Sequence, residues 1–196
     1  MEKPLPFLIE RQGNLELNEE VLKIISKSTN PRSLLFYGQT RQGKSTTLNQ
    51  LIRGNIDTWK YMNKSPFKSQ TSQQSLTEGC DIYGPIKSSE INRRHKINRK
   101  IKEDFDIFFC DTEGLFSLNG QSVTLIPGIL TLLQVCTFSV IMINNVADTN
   151  TVDQIAAEIQ FTKILQQINK DIKCPLVAIY ILCRKFFHTK WRKILF

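Results

Sequence analysis

Apolar runs of strand length alternate along this chain with stretches in which apolar residues recur every three or four positions, and polar, turn-rich segments separate them. Phe7-Leu8-Ile9-Glu10, a turn at Gly13-Asn14 and then Leu15-Glu16-Leu17 predict a short hairpin. Asn18 followed by Glu19 and Glu20 predicts a capped helix, so residues 1–30 read as a hairpin-and-helix module. Ser33 to Tyr37 is the first buried strand, and residues 45–53 carry apolar side chains at 48, 51 and 52, a helical spacing that Gly54 ends. A polar region from Asn55 to Ser75 follows, long enough to mark a functional or mobile connection. It leads into a strand around Gly79 to Tyr83 and a basic loop ending near Asp104. Phe105 to Cys110, Phe138 to Ile143 and Leu176 to Leu182 are three further core strands. Between them lie a helix from about Ser122 to Gln134, bent or delayed by Pro127 and Gly128, and an amphipathic helix from Thr151 to Ile168. Strands alternating with helices predict βαβ units, hence an α/β fold with three α/β/α layers around a mostly parallel sheet, as one domain over residues 1–196.

The junction between the first core strand and the helix after it carries the strongest chemical signal. Gly38-Gln39-Thr40-Arg41-Gln42-Gly43-Lys44-Ser45, followed by Thr46, is a Gly-x-x-x-x-Gly-Lys-Ser phosphate loop in its required strand–loop–helix setting. Backbone N–H groups of such a loop cradle phosphates, Lys44 adds a point charge and Ser45 offers a hydroxyl to Mg²⁺. A nucleoside triphosphate is the expected ligand. Downstream, the strand ending at Cys110 runs into Asp111-Thr112-Glu113-Gly114. Asp111 is therefore placed at the carboxyl edge of a strand, where a carboxylate can face the same metal ion, and Gly114 allows a close backbone approach to the γ-phosphate.

Composition narrows the setting. With 41% hydrophobic and 22% charged residues among 196, the chain is globular, and neither a signal peptide nor an uninterrupted membrane-spanning stretch is visible. Five cysteines without Cys-x-x-Cys spacing point to a reducing, cytoplasmic compartment. The net charge of +8 gathers in Arg93-Arg94-His95-Lys96 with Arg99, Lys100 and Lys102, and in residues 184–196, a basic and aromatic tail. The first group lacks the interleaved aromatics of a nucleic-acid surface and reads as a solvated loop, so no nucleic-acid partner is expected. The tail suits an anionic membrane surface, or the end of a shortened domain.

Taken in order, Phe7-Leu8-Ile9-Glu10 through Ile24, the Arg41-containing phosphate loop, Ser75-Leu76-Thr77-Glu78-Gly79 and Asp111-Thr112-Glu113-Gly114-Leu115 resemble segments of the guanylate-binding protein and atlastin branch of the dynamin-like GTPases. The likeness spans roughly residues 6–170. It implies a GTPase with GTP as substrate, GDP as product and Mg²⁺ as cofactor. By that resemblance Arg41 is an internal arginine finger, Thr77 completes the Mg²⁺ shell and holds the attacking water, and Ser75 and Glu113 order the water network. The plain readings beside these are a solvated loop arginine, a strand-leading threonine and a surface glutamate. The resemblance also implies pairing of two such domains on GTP, and a family domain that continues beyond the point where this chain ends.

One position departs from the pattern. The family's guanine-selecting aspartate follows an arginine after the last core strand, and here Cys183-Arg184-Lys185-Phe186 keeps Arg184 but has Lys185 in place of the acid. An ammonium offers only donors, so it reaches the guanine carbonyl but not the ring N–H and amino group. Asn169-Lys170-Asp171 does not rescue guanine selection, because it lacks the spacer of the Asn-Lys-x-Asp motif and precedes its strand. Two alternatives to a GTPase follow: an interaction module that holds nucleotide without turnover, and a phosphate-loop ATPase or kinase.

Overall fold

A computed structural model describes residues 1–11, 14–38, 42–54, 65–68, 79–98, 102–112 and 136–142, together with residues 156, 160, 163 and 167. Its order is β1 (Leu5–Pro6), β2 (Leu8–Arg11), β3 (Asn14–Leu17), α1 (Glu19–Ser26), β4 (Arg32–Tyr37), α2 (Lys44–Arg53), β5 (Cys80–Lys87), α3 (Ser88–Arg94), β6 (Asp106–Thr112) and β7 (Phe138–Ile141). β2 and β3 form the hairpin expected from the sequence, with Leu8 opposite Leu17. Asn18 caps α1 by accepting the Glu20 N–H at 3.0 Å, while its Nδ2 donates to the Pro6 carbonyl at 2.9 Å, so one side chain starts the helix and ties it to the first strand.

The main sheet runs β1-β5-β6-β4-β7. β4 is parallel to both β6 and β7, as βαβ crossovers require, while β5 joins β6 and β1 joins β5 antiparallel. The sheet is thus mixed, with a parallel centre and an antiparallel margin. Successive residues of a strand face opposite sides, and both sides are covered. Leu35 and Tyr37 of β4 with Phe108 and Cys110 of β6 join Phe7 and Val21 in one core; Leu34, Phe36 and Phe109 join Leu48, Leu51 and Ile52 of α2 in the other. Three α/β/α layers result. Residues 156, 160, 163 and 167 are helical and exposed, the spacing of the polar face of the helix expected over 151–168. The helix expected at 122–134 and the strand at 176–182 lie outside the described residues.

Two expectations are corrected. β5 does not stop at Tyr83: a register shift between Tyr83 and Ile86 lets it pass Gly84-Pro85 and continue to Lys87. The basic stretch after it opens as a helix, α3, rather than a loop. Its N-terminal groups are satisfied from outside the helix. Asp104 accepts Ser88 Oγ at 2.5 Å, the Ser89 N–H at 3.0 Å and Ser89 Oγ at 2.8 Å. These bonds hold the Asp104 carboxyl down at about 2, with the Ser88 hydroxyl contributing most. Because the folded value lies below the ordinary 3.8, the contribution to stability is complete above that ordinary value and disappears as pH falls toward about 2. Asp104→Ala is expected to lower stability by about 1 kcal/mol at pH 7, the usual cost of a lost cap. In urea titrations the gap between wild type and variant should close as pH is lowered from 4 toward 2.

Candidate nucleotide-binding site

β4 delivers the chain to Gly38 at φ +134, where the Met142 N–H donates to the Tyr37 carbonyl at 2.9 Å and presses the end of β7 against the turn. A Cβ on Gly38 would stand 2.5 Å from Gln42 Oε1 and 2.6 Å from the Met142 carbonyl, so both the angle and the space demand glycine. Gly43 in the left-handed region then turns the chain into α2. Where α1 begins with Asn18 and two acids, α2 begins with no side-chain cap and no acid in its first turn. Its N-terminal dipole is left for an external anion.

Lys44, Ser45 and Thr46 form that first turn. Lys44 is buried and its ammonium donates to the Gly38 carbonyl at 3.2 Å, bending across the loop that phosphates would occupy. Ser45 Oγ donates to Asp111 Oδ2 at 2.5 Å. Asp111 is fully buried, and its place in β6 opposite Phe36 of β4 aims it at the α2 side. Thr112 locks that register by donating from Oγ1 to the Phe36 carbonyl at 2.9 Å. The phosphate loop and the downstream acid, separate in sequence, therefore meet at the carboxyl end of the parallel strands.

A hydroxyl and a carboxylate are hard oxygen donors and fit Mg²⁺. Among the described residues no group of three or more His, Cys, Asp or Glu could hold a metal by itself. Cys80, Cys110 and Cys136 are free and buried beneath the opposite face. Burial pushes the Cys80 and Cys110 thiols well up, so they act as apolar filling.

Of the residues expected to act, Gly38, Gln42, Gly43, Lys44, Ser45, Thr46 and Asp111 are brought together; Gln39, Thr40, Arg41, Ser75, Thr77, Glu113, Gly114 and Arg184 lie outside the described residues, as does Lys185. The sequence reading missed Asn49, 1% exposed on α2, and Phe67, 2% exposed, which α2 holds through that asparagine. Asn49 sits three residues before Ile52, on the edge of the apolar arc, and that position was the available signal.

The family model for the guanylate-binding protein, N-terminal domain, matches residues 12–176, most of the chain. The chain belongs to the guanylate-binding protein family. No curated protein matches it. The family's N-terminal domain is a GTP-binding G domain. In this guanylate-binding domain Gly38→Ala is expected to cost 1–3 kcal/mol, roughly the penalty of overpacking, and to weaken nucleotide binding with it. Thermal melts with and without GDP check both effects.

Proposed function

We propose that this guanylate-binding domain is a dynamin-like GTPase that binds GTP with Mg²⁺ and hydrolyses the β–γ phosphoanhydride. The Ser45–Asp111 contact carries the reading, because it puts a hydroxyl and a buried carboxylate at the head of an uncapped phosphate-loop helix. Mg²⁺, when bound, neutralises charge on the β- and γ-phosphate oxygens. Lys44 trades its Gly38 carbonyl for phosphate oxygens and adds a second positive charge there. Water attacks in line: a bond forms from its oxygen to the γ-phosphorus, the bond to the β–γ bridging oxygen breaks, GDP leaves with that oxygen, and the water's proton passes to the released phosphate. Through the family resemblance Arg41 stabilises charge on the transferred group, Thr77 holds the water with its carbonyl and its hydroxyl faces the ion, Ser75 and Glu113 order the water network, and Gly114 lies against the γ-phosphate. Arg184 sits near the base by the same resemblance. The proposal extends to a homodimer formed on GTP and to a cytoplasmic setting, in keeping with the free buried thiols.

A second reading, nucleotide binding without turnover or with ATP preferred, is favoured by Lys185 standing where the guanine-selecting acid is expected. The two separate by titrating the protein with labelled GTP, ATP and GDP in Mg²⁺ and measuring phosphate release. GTP preference, loss of Mg²⁺-dependent binding in Asp111→Asn and a turnover loss on the order of a thousandfold in Arg41→Ala are expected. ATP preference, or binding without phosphate release, overturns the hydrolytic GTPase reading.

A further inference from the structure

Asn49 lies four residues past Ser45 on α2, so the two share one face of the helix about 6 Å apart along its axis. A buried carboxamide is costly unless bonded, and this one is bonded twice to a single backbone unit. Nδ2 donates to the Phe67 carbonyl at 2.8 Å, and the Phe67 N–H donates to Oδ1 at 3.0 Å. The side chain thereby pairs with Phe67 as a neighbouring strand would. The Phe67 ring enters the α2-side core and meets Tyr83 of β5 edge-on, centroids 6.3 Å apart. Burial pushes the Asp81 carboxyl up, the charge of Lys68 opposing it in part, and Asp81 pairs in register with Asp111. The 65–68 segment is therefore fastened to the helix that carries Ser45 and to the strand beside Asp111.

We infer that Asn49 and Phe67 are positioning residues for hydrolysis, their clamp fixing the point from which the chain sets out toward Ser75, Thr77 and β5. Through the clamp α2 holds Phe67, and the Phe67 ring meets Tyr83 of β5, the strand that pairs with β6 beside Asp111. Ground-state contacts to the phosphates come from residues 38–46 and do not pass through the clamp, so its loss strikes turnover rather than affinity. The inference rests on the hydrolytic reading above.

The test uses the full chain with Asn49→Ala, Phe67→Ala and Phe67→Leu. Amide exchange in nucleotide-free protein should show the Phe67 N–H protected in wild type and released in Asn49→Ala, with the β4 and β6 amides still protected. In that variant GDP affinity and KM are expected to stay within about threefold, while kcat falls about a hundredfold, the scale of a small misplacement of reacting groups. Phe67→Leu keeps both backbone bonds and an apolar plug and should restore most of the kcat lost in Phe67→Ala. A released Phe67 amide with kcat within about threefold of wild type overturns the inference. So does a loss shared equally by GDP affinity and kcat with β4 and β6 opening, which marks a merely structural role. If Asn49→Ala does not fold, equal kcat in the two Phe67 variants overturns it. A wild type without phosphate release removes the hydrolytic reading and this inference together, and does so before any variant is made.

Discussion

The bond from the Ser45 hydroxyl to the Asp111 carboxylate sets the tolerance for everything around it. It joins a helix N-terminus to a strand that is not its sequence neighbour, so it exists only if β4 and β6 pair in one register, with Phe36 beside Asp111. A slip of one residue would turn Asp111 to the face of Leu35, Tyr37 and Cys110, a wholly apolar layer with no partner for a charge. The alternation of β6 prevents this. Phe108 and Cys110 fill one core, Phe109 fills the other, and Thr112 bonds the Phe36 carbonyl, so the hydrophobic layers hold the polar pair in place.

The same end of the sheet buries the ammonium of Lys44 on α2 and the carboxylate of Asp111 on β6, an arrangement that is expensive without compensation. Lys44 meets its requirement with the Gly38 carbonyl and Asp111 with the Ser45 hydroxyl, both partners that a phosphate and a cation can replace like for like. At Lys44, Ser45 and Asp111, donors and acceptors already bonded within the protein are the kind that exchange partners rather than create new ones.

What the sequence made legible was whatever lies within one or two elements. The hairpin, the Asn18 cap, the strand–loop–helix of residues 33–53 and the acid near the end of β6 are all written in contiguous residues, and the sheet centre followed from their alternation. What it hid depends on partners distant along the chain. α3 looked like a loop because its cap is Asp104, beyond the helix's other end, and no residue before Ser88 announces a helix. β5 looked short because Gly-Pro is a breaker locally, while pairing with β6 on both sides of it carries the strand through. Asn49 showed only its place at the edge of the apolar arc, since its partner is a backbone segment 18 positions away that no local pattern names.

α2 gathers these constraints into ten residues read three ways. Its N-terminus carries no side-chain cap, and its second turn holds Phe67 through Asn49. Its C-terminus is met by the end of α3 and the residue that caps it: Arg94 Nη1 donates to the Ile52 carbonyl at 2.5 Å, and His95 Nε2 lies 2.6 Å from the Leu51 carbonyl. Glu90 steadies Arg94 from its own helix at 2.8 Å. Gly54 lets this happen, because a Cβ there would collide with the Arg94 backbone. Positive charge at a helix C-terminus complements the dipole by roughly 0.3–1 kcal/mol. The charge that α3 supplies at one end of α2 therefore satisfies the negative pole, while the positive pole stays uncapped for phosphate at the other. The basic stretch that read as a solvated loop serves, in its first half, to complete the helix on which the nucleotide site is built.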